Sequence, residues 1–200
     1  MQTDGYKIRD QSKAHFITFT VFDWVDIFTR KRYKDTIIES LQYCIEYKGM
    51  VLFGYVIMSN HIHMIIQSNQ NDLSGLIRDF KKHTAKVIIK QIQSEPESRR
   101  EWMLNIFKKA TNTHNRNKEF QFWKYGNHPE EIYSQKFLWS KLDYIHLNPV
   151  RSGIVSKASY YNYSSASNYV NGNGIIEITL TDVPIVSINS DHNFWKSISW

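Results

Sequence analysis

Two histidines one residue apart, His61 and His63, could together bind a metal ion. Side chains alternate across a β-strand, so both imidazoles would point to one face of a sheet, about 6–7 Å apart at the backbone. At that spacing they can converge on one cation, with a third ligand from elsewhere in the chain. Polar residues on a solvated strand face would give the same pattern. A cupin-like or hydrolase metal site would also fit it.

The segment KLDYIHLNPVRSGI, residues 141–154, carries a second set of chemically useful side chains. On a helix, Tyr144 lies about 100–160° from the apolar side. That apolar side consists of Leu138, Leu142 and Ile145. Lys141 and Asn148 share the face of Tyr144, where a phenol could attack phosphorus beside an ammonium and a metal-ligating amide oxygen. The alternative interpretation is an amphipathic surface helix with a tyrosine at its rim.

Hydrophobic periodicity predicts the elements that must position these groups. Strands are expected at 15–22, 50–58, 61–67 and 119–125, and helices at 34–47, 73–93 and 134–147. Asn148-Pro149 is expected to end the last helix. Residues 101–118 should form an insertion or a loosely packed helix, and 175–188 could add a hairpin. The order β-α-β-β-α-β-α is typical of α+β proteins in which helices back an antiparallel sheet.

The alternation around the histidines also predicts which face of the sheet is buried. Ile62, Met64 and Ile66 point away from the histidines and should pack against the helices. On the helix at 73–93, Arg78, Lys82, Lys86 and Lys90 follow one another at i+4 steps, opposite an apolar stripe.

Composition favours one domain, or one domain with an appendage, in a chain of 200 residues. The net charge of +6 and pI of about 9.2 favour an anionic partner such as nucleic acid, although a merely basic soluble protein is equally compatible. A single cysteine excludes an internal disulfide framework and a cysteine-based zinc site. The polar first ten residues and the lack of a long apolar run predict a cytoplasmic protein without membrane association.

Five segments, in order along the chain, resemble one known family. GYVIMSNHIHMII (54–66) resembles the HUH-type metal motif of single-tyrosine transposases, and YIHLNPVRSGIV (144–155) resembles the catalytic helix of the REP-associated tyrosine transposases, an IS200-like group. DFKKHTAKVI (79–88), FWKYGNHPEEI (122–132) and YNYSSASNY (161–169) resemble that family's basic helix, pre-catalytic strand and turn, and C-terminal signature. The match spans about residues 14–170. Ser59 stands where the family more often has proline, and residues 95–118 and 171–200 have no recognised counterpart.

This resemblance implies a ferredoxin-like antiparallel sheet backed by helices, of the HUH-nuclease type, with a C-terminal catalytic helix. The domain would cover residues 1–156, with an extension at 157–200 packed on it. It implies that Tyr144 is the nucleophile and that His61, His63 and Asn148 hold Mg²⁺ or Mn²⁺.

The implied activity is cleavage and strand transfer of single-stranded or hairpin DNA, REP-like elements included, through a 5′-phosphotyrosine. An active site on an open sheet face would accept a flexible strand. Candidate DNA contacts are Arg78, Lys81, Lys82, Lys86, Lys90 and Lys141, unless the lysine stripe is only a solvated face. Trp123 or Tyr125 could stack on bases or belong to the core. A homodimer is possible.

Two other functions stay open at the level of sequence. The first is a nucleic-acid-binding module of the same fold that has lost catalysis. The second is an unrelated metal hydrolase in which His61 and His63 activate a water nucleophile.

Overall fold

A computed structural model describes residues 7–109 and 119–182, in which four antiparallel strands form a single sheet. The strands are β1 (His15–Thr20), β2 (Met50–Ile57), β3 (His61–Ser68) and β4 (Glu130–Glu131). The helices of a turn and a half or more are α1 (Lys31–Tyr47), α2 (Leu73–Ser94), α3 (Arg100–Lys109), α4 (Gln135–Arg151) and α5 (Ala166–Asn171).

The strand order β2-β3-β1-β4 is that of the expected ferredoxin-like sheet, and the prediction of the fold class is confirmed. β2 and β3 form a hairpin around Ser59 and Asn60, and β1 lies on the other side of β3. The β1–β3 register places Thr18 directly opposite His63. This register decides which β1 side chains share the histidine face.

Helices α1 and α2 pack on the face that the alternation of β3 predicted to be buried. Ile62, Met64 and Ile66 are each at most 1% exposed and lie in one core with residues from both helices. Burying side chains of this size contributes about 1.5–3 kcal/mol each, so this interface fixes the orientation of β3. The histidines must then point to the opposite face.

That opposite face is not open, contrary to the expectation of an exposed active-site surface. Leu138, Leu142 and Ile145 of α4 pack against it in a second core. Gly54 permits this close contact, since a Cβ at that position would lie 2.5 Å from Cδ2 of Leu142. The sequence showed that α4 has an apolar side, but its periodicity could not show which surface that side covers.

The strand predicted at 119–125 does not form. Gln121, Phe122 and Trp123 are all buried, so the segment lacks the alternation of a strand, and only Trp123 makes an isolated bridge, to Val21. The segment nevertheless follows the edge of β1, because the Lys124 N–H donates to the Thr20 carbonyl. The fourth strand is the short β4, which pairs with the start of β1.

Helix α4 begins as predicted but ends later. The Ser134 hydroxyl caps it by accepting from the Phe137 N–H. Pro149 lies inside the helix and is buried, so the predicted end at Asn148-Pro149 is wrong. A proline close to the C-terminus costs only one helical hydrogen bond. Gly153, at φ +69°, follows the helix end.

Part of the region 101–118, which was predicted to be an insertion or a loosely packed helix, forms the well-packed helix α3. Met103 and Phe107 of α3 are fully buried in the main core. Residues 110–118 lie outside the described residues. Residues 175–182 form no strand, and the remainder of the hairpin predicted at 175–188 also lies outside the described part.

Residues after α4 attach to the outer edge of β2. The hydroxyls of Tyr161 and Tyr169 donate to the carbonyls of Ile57 and Phe53, at 2.7 and 2.8 Å. The Ser165 hydroxyl accepts from the Tyr55 N–H at 2.9 Å and also contacts Nε2 of His146 in α4. This tyrosine-rich segment therefore ties α4 to the sheet, while the domain boundary at 156 stays a prediction. Within the described residues, no helix has the length and apolar character to cross a membrane.

Candidate nuclease centre

The rings of His63 and Tyr144 lie together on the α4 face of the sheet. Their centroids are 5.1 Å apart and their planes meet at 71°. The His61 and His63 centroids are 4.7 Å apart. The packing of α4 on this face of the sheet thus brings the two imidazoles and the phenol to one place, within a single chain.

Each imidazole has its Nδ1 atom engaged by a neighbouring side chain. Nδ1 of His63 lies 2.8 Å from the Thr18 hydroxyl, and Nδ1 of His61 lies 2.7 Å from Oδ1 of Asn60. A metal-binding histidine generally uses one ring nitrogen for the ion and the other for such a contact. Nε2 of His63 is buried and makes no hydrogen bond with any described residue. A buried nitrogen of this kind has a lone pair that could bind a cation.

Burial keeps both imidazoles neutral at physiological pH. Desolvation lowers the pKa of His61 below its ordinary value. Desolvation, with smaller contributions from His61 and the Lys141 ammonium, lowers the pKa of His63 to about 3. Only a neutral imidazole has the lone pair that a metal needs. The electrostatics of the site therefore fit a metal-binding pair.

Tyr144 is accessible to solvent, and its ring packs against neighbouring aromatic side chains. Its side chain is 41% exposed, in keeping with the prediction that it is not a core aromatic. Its ring meets Phe16 edge-on at 5.9 Å, and Phe16 also stacks on His63 at 5.5 Å. Phe16 thus contacts both halves of the site. An accessible phenol on such a support could attack a bound phosphodiester.

Lys141 lies one turn before Tyr144 and is bound to the sheet edge. Its ammonium contacts both carboxylate oxygens of Glu130 at 2.8 Å and lies 4.5 Å from the centre of the Phe16 ring. Because β4 pairs Glu130 with Phe16 in β1, the ion pair joins α4 to the edge of the sheet. Lys141 is thereby positioned near the histidines while it is paired with an acid.

Asn148 lies one turn after Tyr144 on α4 and is half-buried. Among the described residues, its amide makes no hydrogen bond to either histidine. The described chain also holds no cluster of three or more His, Cys, Asp or Glu side chains that could bind a metal. An amide oxygen is a ligand that Mg²⁺ and Mn²⁺ accept.

The predicted basic stripe lines a groove of about 910 Å³ on the other side of the sheet. Helix α2 forms one wall, and the segment 119–125 forms the other. The positively charged residues of this basic groove are Arg78, Lys81, Lys82, Lys86 and Lys90. Lys82, Lys86 and Lys90 are exposed, whereas Arg78 pairs with Asp79 at 3.0 Å.

Lys81 differs from the other cations of the groove. It is half-buried and donates to Oδ1 of Asn127 and to the Lys124 carbonyl, at 2.7 and 3.2 Å. Burial lowers its pKa to about 8. Trp123 is only 5% exposed and donates to the Thr84 hydroxyl, so it belongs to the core rather than to a stacking surface. Tyr125 is 38% exposed and lines the groove.

Sequence reasoning missed the residues that support the reactive groups. Phe16 and Thr18 lie in the predicted first strand, but their relation to His63 depends on the β1–β3 register. Asn60 lies in the turn between β2 and β3, and the turn sequence gives no sign of its contact with His61. The sequence contains one signal for this support, which is the position of Thr18 at an alternating site in a strand that is otherwise rich in aromatic residues.

Comparisons with known proteins show a family and a fold for this chain. A family model described as "Transposase IS200 like" matches residues 9–142. One solved structure, a REP-associated tyrosine transposase bound to a REP hairpin, has a TM-score of 0.59 and 15% sequence identity, over 92% of this chain and 100% of that one. A search of curated protein sequences finds no match.

Proposed function

The chain belongs to the family of IS200-like transposases, and on that basis we propose that it cleaves and rejoins single-stranded DNA through Tyr144. The family membership carries the general role in DNA transposition. The observation that supports the specific mechanism is the position of the Tyr144 ring, 5.1 Å from that of His63. Two segments far apart in sequence thereby bring an accessible phenol next to a buried imidazole.

The donor set fits a divalent cation. Mg²⁺ or Mn²⁺ would be held by His61 and His63, with Asn148 as the third protein ligand, and would act as a Lewis acid on the scissile phosphate. Thr18 and Asn60 hold the two rings by their Nδ1 atoms, which leaves the Nε2 atoms for the ion. Their neutral state at physiological pH avoids competition from protons.

Tyr144 supplies the nucleophile in this proposal. Its phenol gives up its proton, the phenol oxygen bonds to phosphorus in line with the leaving group, and the bond from phosphorus to the 3′-oxygen breaks. The leaving oxygen takes up a proton and becomes a free 3′-hydroxyl, while the other DNA end is joined to Tyr144 as a 5′-phosphotyrosine. Attack by a 3′-hydroxyl on that linkage reverses the step and rejoins DNA without ATP.

The substrate would be held by the basic groove. The REP-associated relative of similar fold is bound to a REP hairpin, and a hairpin stem is a suitable ligand for a groove with four exposed or rim cations. Helices α2 and α4 lie on opposite faces of the sheet. DNA in the groove would therefore pass the β1 edge to reach Tyr144, which favours an unpaired segment over a stiff duplex.

A denaturing gel tests this proposal directly. Labelled hairpin oligonucleotides with single-stranded flanks are mixed with the protein and Mn²⁺. We expect a covalent protein–DNA adduct that is absent from the Tyr144→Phe variant. Tyr133→Phe, which alters a 75% exposed tyrosine just before α4, is the matched control and should form the adduct.

Other outcomes would support the competing functions. Binding without any adduct or cleavage in the wild-type protein would identify a module that has lost catalysis. Cleavage that survives Tyr144→Phe and leaves no linkage would indicate a metal hydrolase with a water nucleophile. A homodimer is compatible with the proposal but is not needed to bring Tyr144 to His63, because both belong to one chain.

A further inference from the structure

We propose that Trp24 is a stacking platform for an unpaired DNA base beside the reactive centre. The proposal rests on the proposed function and specifies which part of the DNA the chain holds near His61. Trp24 lies in the turn that follows β1, and its side chain is 57% exposed. A large exposed indole is a suitable surface for any of the four bases, since each has a π-face.

The turn that carries Trp24 is rigid. Val21 and Val25, on either side of the turn, are at most 2% exposed, and the Val25 N–H donates to the Phe22 carbonyl. Asp23 and Trp24 have φ values of +53° and +56°, a left-handed backbone conformation that residues other than glycine rarely adopt. The packing around the turn must offset that strain. The backbone of Trp24 is therefore held in place, which limits the freedom that the residue loses when a base stacks on its indole.

Trp24 is also connected to the metal-binding pair. Its ring meets the His61 ring edge-on, with the centroids 6.2 Å apart. Its carbonyl accepts from Nδ2 of Asn60 at 3.3 Å, and Oδ1 of the same asparagine contacts Nδ1 of His61. A base on this indole would thus lie beside a phosphate bound at the histidines.

Lys124 links this platform to the basic groove. Its ammonium lies over one face of the Trp24 ring, 5.8 Å from the ring centre, so a base would stack on the opposite face. Its carbonyl accepts from Lys81, and its N–H donates to Thr20 of β1. Trp24 and Lys124 therefore stand at the β1 edge, between the groove on one face of the sheet and Tyr144 on the other. An unpaired strand that leaves the groove for the active site meets this indole.

Binding measurements with two oligonucleotides test the proposal. One is a fluorescent DNA hairpin with a ten-nucleotide dT flank, and the other is the same hairpin without a flank. We expect Trp24→Ala to weaken binding of the flanked hairpin about 5- to 150-fold, the range for loss of one stacked base, and to leave the unflanked hairpin unchanged. Trp24→Phe should retain most of the affinity. Trp102→Ala removes a 50% exposed indole from α3 and is the matched control.

A second readout locates the stacked base. When 2-aminopurine replaces one thymine at a time in the flank, the wild-type protein should quench its fluorescence at one position, and Trp24→Ala should remove that quenching. Equal affinities of wild type and Trp24→Ala for the flanked hairpin would overturn the proposal, as would equal losses for both oligonucleotides. A wild-type adduct that persists in those cases leaves the proposed function intact. Absence of the adduct in the wild type would instead refute the proposed function.

Discussion

The ring of Tyr144 in α4 lies edge-to-face with the ring of His63 in β3, with 5.1 Å between their centroids. Phe16 of β1 contacts both rings, so three separate elements converge on the site. This contact joins a phenol that solvent can reach to an imidazole that burial keeps neutral. The predictions below follow from the groups that hold these two rings in place.

Thr18→Val should weaken metal binding. The Thr18 hydroxyl contacts Nδ1 of His63 at 2.8 Å, and loss of such a partner typically lowers metal affinity 10- to 100-fold. Valine keeps the shape and the β-branching of threonine. Titration calorimetry with Mn²⁺ measures the change, and Thr36→Val is the control, since the Thr36 hydroxyl bonds to Arg32 and Gln91 on the opposite face of the sheet. Equal affinity in Thr18→Val and wild type would remove Thr18 from the support of the site.

The buried histidines should make the metal-free protein less stable as the pH falls below about 6.5, the ordinary value for histidine. Burial lowers the pKa of His146 to about 3, so between these two values only the unfolded chain binds that proton. The free energy of unfolding then decreases by up to about 1.4 kcal/mol per pH unit for each such histidine.

Urea unfolding of His146→Gln at several pH values checks this linkage. Between pH 6 and 4, the free energy of unfolding should change less steeply with pH in the variant. The difference in slope should be up to about 1.4 kcal/mol per pH unit, which corresponds to one bound proton. Above pH 7 the two proteins should show parallel curves, because histidine is then neutral in both states. Parallel curves at pH 4–6 as well would contradict the assignment of His146 as a buried neutral group.

Gly54→Ala should displace α4 and reduce DNA cleavage. The added methyl would lie 2.5 Å from Cδ2 of Leu142, which is fully buried, so the helix or the strand must move. Overpacking of this kind typically costs about 1–3 kcal/mol of stability. Thermal unfolding and the adduct assay measure the two effects.

The double variant Gly54→Ala/Leu142→Ala provides the control for that substitution. Shortening Leu142 removes the contact, so the double variant should regain adduct formation relative to Gly54→Ala even if its stability stays low. If both variants lose activity to the same degree, close packing of α4 on β2 is not what positions Tyr144.

Single substitutions in the basic groove should flatten the salt dependence of DNA binding. Lys82 and Lys86 are exposed on the α2 wall, and each phosphate contact contributes a slope of about 0.7–0.9 in log K against log salt. Lys82→Ala or Lys86→Ala should reduce the slope by about that amount. Lys48→Ala, an exposed lysine after α1, should not change it. Slopes equal to that of the wild type would place the DNA elsewhere.

Local patterns in the sequence predicted the orientation of the reactive groups. Period-two alternation placed His61 and His63 on one strand face, and helical spacing turned Tyr144 away from Leu142 and Ile145. Both inferences depend only on neighbouring residues. The prediction that Tyr144 lies near the histidines came from the resemblance to a family. No local pattern in the sequence indicates that α4 covers the histidine face of the sheet.

The errors arose where tertiary contacts override local preference. The segment 119–125 has the composition of a strand, but Gln121, Phe122 and Trp123 are all buried along the β1 edge. Pro149 is accommodated within α4, where its side chain is buried. The contact of Thr18 with His63 requires the strand register, which follows from the packing of the whole sheet.

The measurement that tests the central claim most directly is identification of the residue that carries the DNA. The chain has 12 tyrosines, so a covalent adduct does not by itself identify the nucleophile. Nuclease trimming, trypsin digestion and tandem mass spectrometry of the adduct should find a nucleotide 5′-phosphate on the peptide 142–151, whose one tyrosine is Tyr144. A nucleotide on any other tyrosine, such as the exposed Tyr133, would contradict the assignment of Tyr144 as the nucleophile.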